Sequence, residues 1–133
     1  PDTLKELRTA FQGADGHTHV GRFIDMHDVG DALIAQGFAD PVMDMEHVTL
    51  TYATVRDLMR DLKCIGARNL TRGRPATLSG KSLMAKVAQA YEAFRKEGNL
   101  PATFEVVYGH AWKPQARLSP TGRPVIDIKP RQT

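Results

Sequence analysis

Four helix patterns but only two convincing strand patterns alternate along this chain of 133 residues. Apolar residues recur at helical spacing in residues 4–13, 28–36, 55–65 and 79–94, whereas residues 42–51 and 103–113 show the two-residue alternation of strands. Helices that alternate with strands are typical of an α/β unit, in which helices cover a sheet. Two strands are too few for four helices to cover. We therefore expect this chain to complete a sheet whose remaining strands precede Pro1.

Local signals predict where the helices begin and end. Asp2 and Thr3 are suited to cap the first helix, and Gly13, Gly37 and Gly66 are suited to stop the first three. The buried face predicted for the third helix consists of Val55, Leu58, Met59, Leu62 and Ile65. The fourth helix is predicted to bury Leu83, Val87, Ala90, Tyr91 and Phe94.

Charge is distributed unevenly along the chain. Residues 1–55 contain three basic and nine acidic side chains, whereas residues 56–86 contain eight basic and two acidic ones. On the third helix Arg56, Arg60 and Lys63 fall within one narrow stripe beside the apolar face, while Asp57 and Asp61 are predicted on its other flank. Such a basic stripe attracts an acidic partner. A solvated face without a partner is the alternative.

Several classes of function find no support in the residues. No apolar run approaches the roughly 20 residues of a membrane helix and the chain starts without a signal region, so a cytoplasmic protein outside the membrane is expected. Cys64 lies in a helix pattern and is predicted to be a structural thiol. His17, His19 and His27 lack a second ligand cluster, which argues against a metal site. The chain contains no G-x-G motif, which argues against a nucleotide-binding glycine loop.

The most specific motif is DLMRDLKCIGARN at residues 57–69, which VTLTY precedes at residues 48–52. This run resembles the C-terminal half of the malonyl-acyl-carrier-protein O-methyltransferases of biotin synthesis. Further matching segments are TLKEL at 3–7, HVGRF at 19–23, DMHD at 25–28 and YGHAWK at 108–113. The resemblance covers the chain up to about Pro114. It departs at Gly21, where members of the family usually carry Asn.

The resemblance implies a class I S-adenosylmethionine-dependent methyltransferase with a Rossmann-like, doubly wound α/β fold. Residues 1–114 would be the C-terminal half of that domain, with the sixth and seventh strands near residues 42–51 and 103–113. An inserted helical lid at about residues 13–24 and a basic helix and loop at 53–78 are implied as well. Residues 115–133 would form a Pro/Arg-rich tail. The S-adenosylmethionine site would belong to the missing half, so we expect neither bound cofactor nor activity from this chain alone.

The family transfers a methyl group to the free carboxyl group of a malonyl thioester on acyl carrier protein. Methyl transfer to a carboxylate depends mainly on orientation and exclusion of water, and a carboxylate is best held by an arginine fork. We therefore predict a substrate-binding group of His19, Arg22 and Phe23, in which Arg22 contacts the malonyl carboxylate through two hydrogen bonds. In the alternative, Arg22 pairs with Asp25 or caps a turn.

Acyl carrier protein is acidic, and the basic residues of the middle segment are predicted to dock it. The predicted docking residues are Arg56, Arg60, Lys63, Arg68, Arg72 and Arg74. The competing class of function is a non-catalytic basic module that binds an acidic protein or nucleic acid. The acidic first part and the lack of aromatic residues among the basic ones argue against nucleic acid. An exposed sheet edge would also allow self-association.

Overall fold

The computed structural model describes residues 1–15, 17–69 and 80–114. It contains helices α1 (Lys5–Gln12), α2 (Met26–Ala35), α3 (Val55–Cys64) and α4 (Lys81–Tyr91), and strands β1 (Ala39–Tyr52) and β2 (Leu100–Trp112). A short 3-10 turn, Glu92–Phe94, follows α4. The predicted α/β class, the four helices and the two strands are confirmed. The predicted tail at 115–133 and most of the basic loop, residues 70–78, lie outside the described residues.

The two strands form an antiparallel pair, although α3 and α4 separate them in the chain. The register places Tyr52 opposite Leu100 at one end and Val42 opposite His110 near the other. An irregularity follows Ala39, where Asp40 has a φ of 49°. In the described ranges neither strand has a neighbour on its outer side. As far as the described residues extend, both edges of the sheet are therefore open.

The apolar core lies at the Tyr52 end of the sheet, where α1, α3 and α4 meet the start of β2. Its most completely buried large side chains are Tyr91, Leu58, Leu100 and Val87. The remaining core residues are Leu4, Leu7, Ala10, Phe11, Val20, Val55, Leu62 and Ala102. The predicted face of α3 is confirmed for Val55, Leu58 and Leu62, but Ile65 is 73% exposed because it follows the last helical turn.

Helix α2 packs apart from this core, close against the other end of the sheet. The side chain of Met43 on β1 fills the space beside Gly30 of α2 and Gly109 of β2. A Cβ atom on Gly109 would lie only 3.2 Å from the Met43 side chain. The two glycines therefore permit the close approach of α2 and the sheet.

Polar contacts rather than a side-chain cap hold the start of α1. The carboxylate of buried Glu6 accepts hydrogen bonds from the amide and hydroxyl groups of Thr103, and the Leu4 amide donates to the Thr103 carbonyl at 2.7 Å. The predicted capping by Asp2 and Thr3 is wrong. Leu4 occupies the cap position without a side-chain hydrogen bond, because the Thr3 hydroxyl instead accepts from the Glu105 amide on β2.

Other boundaries differ by a few residues for local reasons. Helix α2 begins two residues earlier than predicted because the Asp25 carboxylate caps it, accepting from the His27 amide at 2.8 Å. Thr54 caps α3 through a hydrogen bond from the Asp57 amide. Both strands begin three residues earlier than predicted, because ladder pairing extends to Ala39 opposite Trp112 and to Leu100 opposite Tyr52.

The buried Tyr91 hydroxyl leads us to expect that alkali destabilises the fold. It donates to the Pro101 carbonyl at 2.9 Å, and burial raises the pKa of Tyr91 above its ordinary value. Because the folded pKa exceeds the unfolded one, this contribution to stability is complete below about pH 10 and is lost above it. We expect Tyr91→Phe to lower the unfolding free energy by about 1 kcal/mol at pH 7. We also expect the unfolding free energy of this variant to fall less steeply above pH 10 than that of the unmodified chain.

Urea unfolding at pH 7 and at several values above pH 10 measures both effects. Tyr108→Phe is the matched control, since Tyr108 is 53% exposed and its hydroxyl contacts only an exposed carboxylate, that of Glu46. Tyr108→Phe should change the fall of the unfolding free energy above pH 10 less than Tyr91→Phe does. An alkaline decline in Tyr91→Phe equal to that of the unmodified chain would contradict the prediction.

Candidate functional site

A cavity of about 770 Å³ lies between α1 and the segment that connects it to α2. The three predicted substrate-binding residues, His19, Arg22 and Phe23, all line it. The structure therefore brings together the residues that the sequence singled out. Phe11, Asp15 and Arg8 from the α1 side complete much of the wall.

The wall segment is irregular. In its described residues, 13–15 and 17–24, it contains turns and bends but no helix, so the predicted helical character of the lid is wrong. Helix α1 ends at Gln12 with Gly13 as its cap, and the Asp15 carboxylate then accepts hydrogen bonds from the His17 amide and the His19 ring. Side-chain bonds of this local kind compete with helical hydrogen bonding.

His19 is the most firmly held of the three residues. Its ring stacks on Phe11 with centroids 4.1 Å apart, and its Nε2 atom lies 2.9 Å from both oxygens of Asp15. This hydrogen bond lowers the pKa of Asp15, and an ionised carboxylate can only accept, so Nε2 carries the proton. The side chain of His19 is 8% exposed. Nδ1 has no hydrogen-bond partner among the described residues.

Arg22 is exposed at the cavity and forms no ion pair or hydrogen bond with any residue that the structure describes. The alternative pairing with Asp25 is absent, because the Asp25 carboxylate caps α2. Phe23, its neighbour, is 44% exposed. An unpaired guanidinium beside an exposed aromatic ring is suited to bind an organic anion.

Arg8 is a residue that sequence reasoning missed. Its guanidinium lines the same cavity, donates hydrogen bonds to three backbone carbonyls and lies 6.0 Å from the centre of the Phe23 ring. The helical pattern of α1 marks Leu4, Leu7 and Phe11 as buried and leaves Arg8 as an ordinary polar position. No sequence signal shows that carbonyl groups surround it.

Four of the six predicted docking residues are described, and they lie outside the cavity lining. Arg56, Arg60 and Lys63 are exposed on α3 and Arg68 is exposed beyond it, whereas Arg72 and Arg74 lie outside the described residues. Arg60 lies 2.9 Å from Asp57, and the pKa of Asp57 is lowered first by the Thr54 hydroxyl and then by Arg60. One charge of the stripe is thus partly neutralised by a carboxylate from the neighbouring flank of the same helix.

One hydrogen bond connects the end of this basic surface to the cavity wall. The side-chain amide of Asn69, the residue after Arg68, donates to the Thr18 carbonyl at 2.6 Å. Thr18 lines the cavity. The described part of the basic surface is therefore connected to the cavity wall.

The described ranges support neither a metal site nor a membrane-spanning helix. Their histidine, cysteine and acidic side chains form no group of three or more that could hold a metal ion. No helix among these residues is long and apolar enough to cross a membrane.

The described residues thus combine an arginine-bearing cavity with an exposed basic helix, and both features are suited to contact an anion. Comparison with known proteins gives the class, because the similar curated proteins are methyltransferases. In particular, the chain is 57% identical to the malonyl-[acyl-carrier protein] O-methyltransferase of Gallionella capsiferriformans, over 95% of this chain and 43% of the relative. It is 56% identical to the protein of that name from Laribacter hongkongensis, over 98% of this chain and 45% of the relative.

A third protein of the same name, from Nitrosospira multiformis, is 61% identical over 90% of this chain and 39% of the relative. The predicted family resemblance is therefore confirmed: the chain is homologous to part of the malonyl-acyl-carrier-protein O-methyltransferases. It spans less than half the length of these curated relatives. No protein-family model and no solved structure matches the chain.

Proposed function

We propose that this chain is the C-terminal part of an S-adenosylmethionine-dependent methyltransferase that esterifies the free carboxyl group of malonyl-acyl-carrier protein in biotin synthesis. The observation that carries the proposal is 56–57% identity over almost the whole chain to proteins that bear this name. The complete protein, meaning this chain with an N-terminal remainder, would be the active form. A non-catalytic basic module is not favoured, because the similar proteins are named as methyltransferases.

The open sheet supports a Rossmann-like fold for the complete protein. One face of the sheet carries three exposed apolar side chains, those of Val42, Leu50 and Tyr108. They share this face because residues directly opposite in the register, and residues two apart on a strand, point the same way. The core fully covers this face only at Leu100 and Ala102, and a sheet of two long strands with such exposed apolar side chains is typical of part of a larger layered unit. The N-terminal remainder would supply the missing strands and cover this face.

S-adenosylmethionine would supply the methyl group when it is bound to the complete protein. The described residues include no glycine-rich turn between a strand and a helix that could approach such a nucleotide, so its site belongs to the remainder. This chain would instead hold the methyl acceptor. Its task is to fix one carboxylate oxygen in the direction of the incoming methyl group and to exclude water.

Three residues of the cavity are suited to this task. Arg22 would bind the malonyl carboxylate through two parallel hydrogen bonds, which fixes its plane as well as its position. His19 in its neutral form would accept a hydrogen bond through Nδ1, since Nε2 already donates to Asp15. Phe23 would cover the apolar part of the acyl group. No proton has to be transferred, because the attacking group is already a carboxylate.

Acyl carrier protein would dock on Arg56, Arg60, Lys63 and Arg68, which end beside the cavity wall at Asn69. Since exposed charges are screened within a Debye length of about 8 Å at physiological salt, we expect the dissociation constant to rise about tenfold between low and physiological ionic strength. Titration of the complete protein with malonyl-loaded carrier at several salt concentrations measures this.

Arg56→Glu should weaken the same binding, because it reverses one charge of the docking surface. Lys96→Glu is the control, since Lys96 is exposed between α4 and β2 and does not belong to that surface. Binding that is independent of salt, or equal losses in the two variants, would remove the docking surface from the proposal.

A growth experiment tests the function as a whole. A bacterial strain without its own malonyl-acyl-carrier-protein methyltransferase receives the gene of the complete protein and is plated without biotin. We expect growth with this gene and none with an empty vector. Failure to grow, when the protein is present in soluble form and added biotin restores growth, would refute the proposed function.

A further inference from the structure

Arg8 makes more backbone contacts than a helix-surface arginine usually does. Its Nη2 atom donates to the Thr3 carbonyl at 3.2 Å and to the Gly21 carbonyl at 3.4 Å, and both terminal nitrogens lie 3.3 Å from the Pro1 carbonyl. One guanidinium therefore joins the segment before α1 to the cavity wall. A rigid fork of donors is suited to such multiple contacts, which an ammonium group makes less well.

These contacts lie on both sides of Arg22. The Gly21 carbonyl, which accepts from Arg8, directly precedes Arg22. The Phe23 ring, which directly follows it, has its centre 6.0 Å from the Arg8 guanidinium carbon, the distance of a cation–π contact. Val20 is buried in the core and anchors the same segment from the other side. The backbone of Arg22 is thus held at both neighbours, while its own side chain has no partner in the described residues.

The energetics of Arg8 favour a role other than stability. Its Nε atom is buried without a hydrogen-bond partner among the described residues. Leaving a buried N–H unpaired offsets much of the gain from a hydrogen bond elsewhere on the same group. An apolar side chain at this position would avoid that penalty but would not hold the Gly21 carbonyl. The arrangement therefore fits a residue that determines the position of the cavity wall.

We propose that Arg8 is a positioning residue of the substrate cavity, which places the Arg22 guanidinium by clamping residues 21–23 against α1. The inference rests on the proposed function, because it assigns to Arg22 the substrate carboxylate. Arg8 itself does not contact the reacting atoms. Because the Arg22 fork must meet both oxygens of the substrate carboxylate, a loosened wall should weaken substrate binding measurably.

A double-mutant cycle in the complete protein tests the proposal. Initial rates of methyl transfer to malonyl-loaded carrier are measured for the wild type, Arg8→Met, Arg22→Met and the double variant. We expect Arg8→Met to lower kcat/KM about tenfold, mainly through KM, and to have less than about a twofold effect when Arg22 is already methionine. Arg8→Lys, which keeps the charge but not the fork, should restore only part of the loss.

A control separates positioning from general destabilisation. Arg95 likewise donates to backbone carbonyls, those of Gly98 and Ala53, but it is remote from the cavity. Arg95→Met should lower the melting temperature without changing KM. Multiplicative effects of Arg8→Met and Arg22→Met, or equal KM values in Arg8→Met and wild type, would overturn the inference alone. A folded wild-type protein that does not methylate malonyl-loaded carrier would overturn the proposed function, and the inference with it.

Discussion

Arg22→Met in the complete protein is expected to lower kcat/KM for malonyl-loaded carrier by about 100-fold. Arg22 lines the cavity and has no partner in the described residues, so its guanidinium is available for the substrate carboxylate. Removing it eliminates both hydrogen bonds of the fork and the orientation that they impose. Methionine keeps most of the length and apolar volume of the side chain, so the loss reports on the guanidinium.

Two further variants make this test specific. Arg22→Lys retains the charge without the fork and should fall between wild type and Arg22→Met. Asp25→Asn keeps a capping oxygen on α2 and should leave kcat/KM near that of wild type, because Asp25 binds the His27 amide and not Arg22. An unchanged specificity constant in Arg22→Met would exclude Arg22 from the substrate site.

Leu58→Ala is expected to lower the unfolding free energy of the chain by about 2–5 kcal/mol. Leu58 is 1% exposed and lies in the core where α1, α3 and α4 meet the sheet. Truncation removes its apolar contacts and leaves a cavity that the close-packed neighbours fill only partly. Urea unfolding followed by circular dichroism measures the change.

Ile65→Ala provides the matched control for this measurement. Leu58 lies within α3, whereas Ile65 caps the end of the same helix. The two side chains have the same number of carbon atoms, but Ile65 is 73% exposed. Its replacement should change the unfolding free energy by less than about 0.5 kcal/mol. Equal losses in Leu58→Ala and Ile65→Ala would show that the core does not lie where the structure places it.

Local patterns predicted the parts of the fold that local forces determine. The spacing of Val55, Leu58 and Leu62 identified the buried face of α3, and Gly66, with a φ of 76°, ends that helix as expected. Prediction failed where a distant residue competes for a local group. The Thr3 hydroxyl binds the Glu105 amide, 102 residues away, and no pattern around Thr3 reveals this partner.

The candidate site shows the same division. The motif at residues 19–23 pointed to His19, Arg22 and Phe23, and the structure places all three in one cavity. Arg8 could not be predicted, because its partners are backbone carbonyls, which every residue possesses. The prediction of a helical lid was wrong because the Asp15 side chain forms local hydrogen bonds with residues 17 and 19 in place of a helical turn.

Methyl transfer by the complete protein is the most direct test of the central proposal. Purified protein is incubated with S-adenosylmethionine and malonyl-loaded carrier, and the intact carrier is weighed by mass spectrometry, with acetyl-loaded carrier as the control that lacks a free carboxyl group. We expect the malonyl carrier to gain the mass of one methylene group and the acetyl carrier to stay unchanged. A folded protein that leaves the malonyl carrier unmodified, or that modifies both carriers equally, would contradict the proposal.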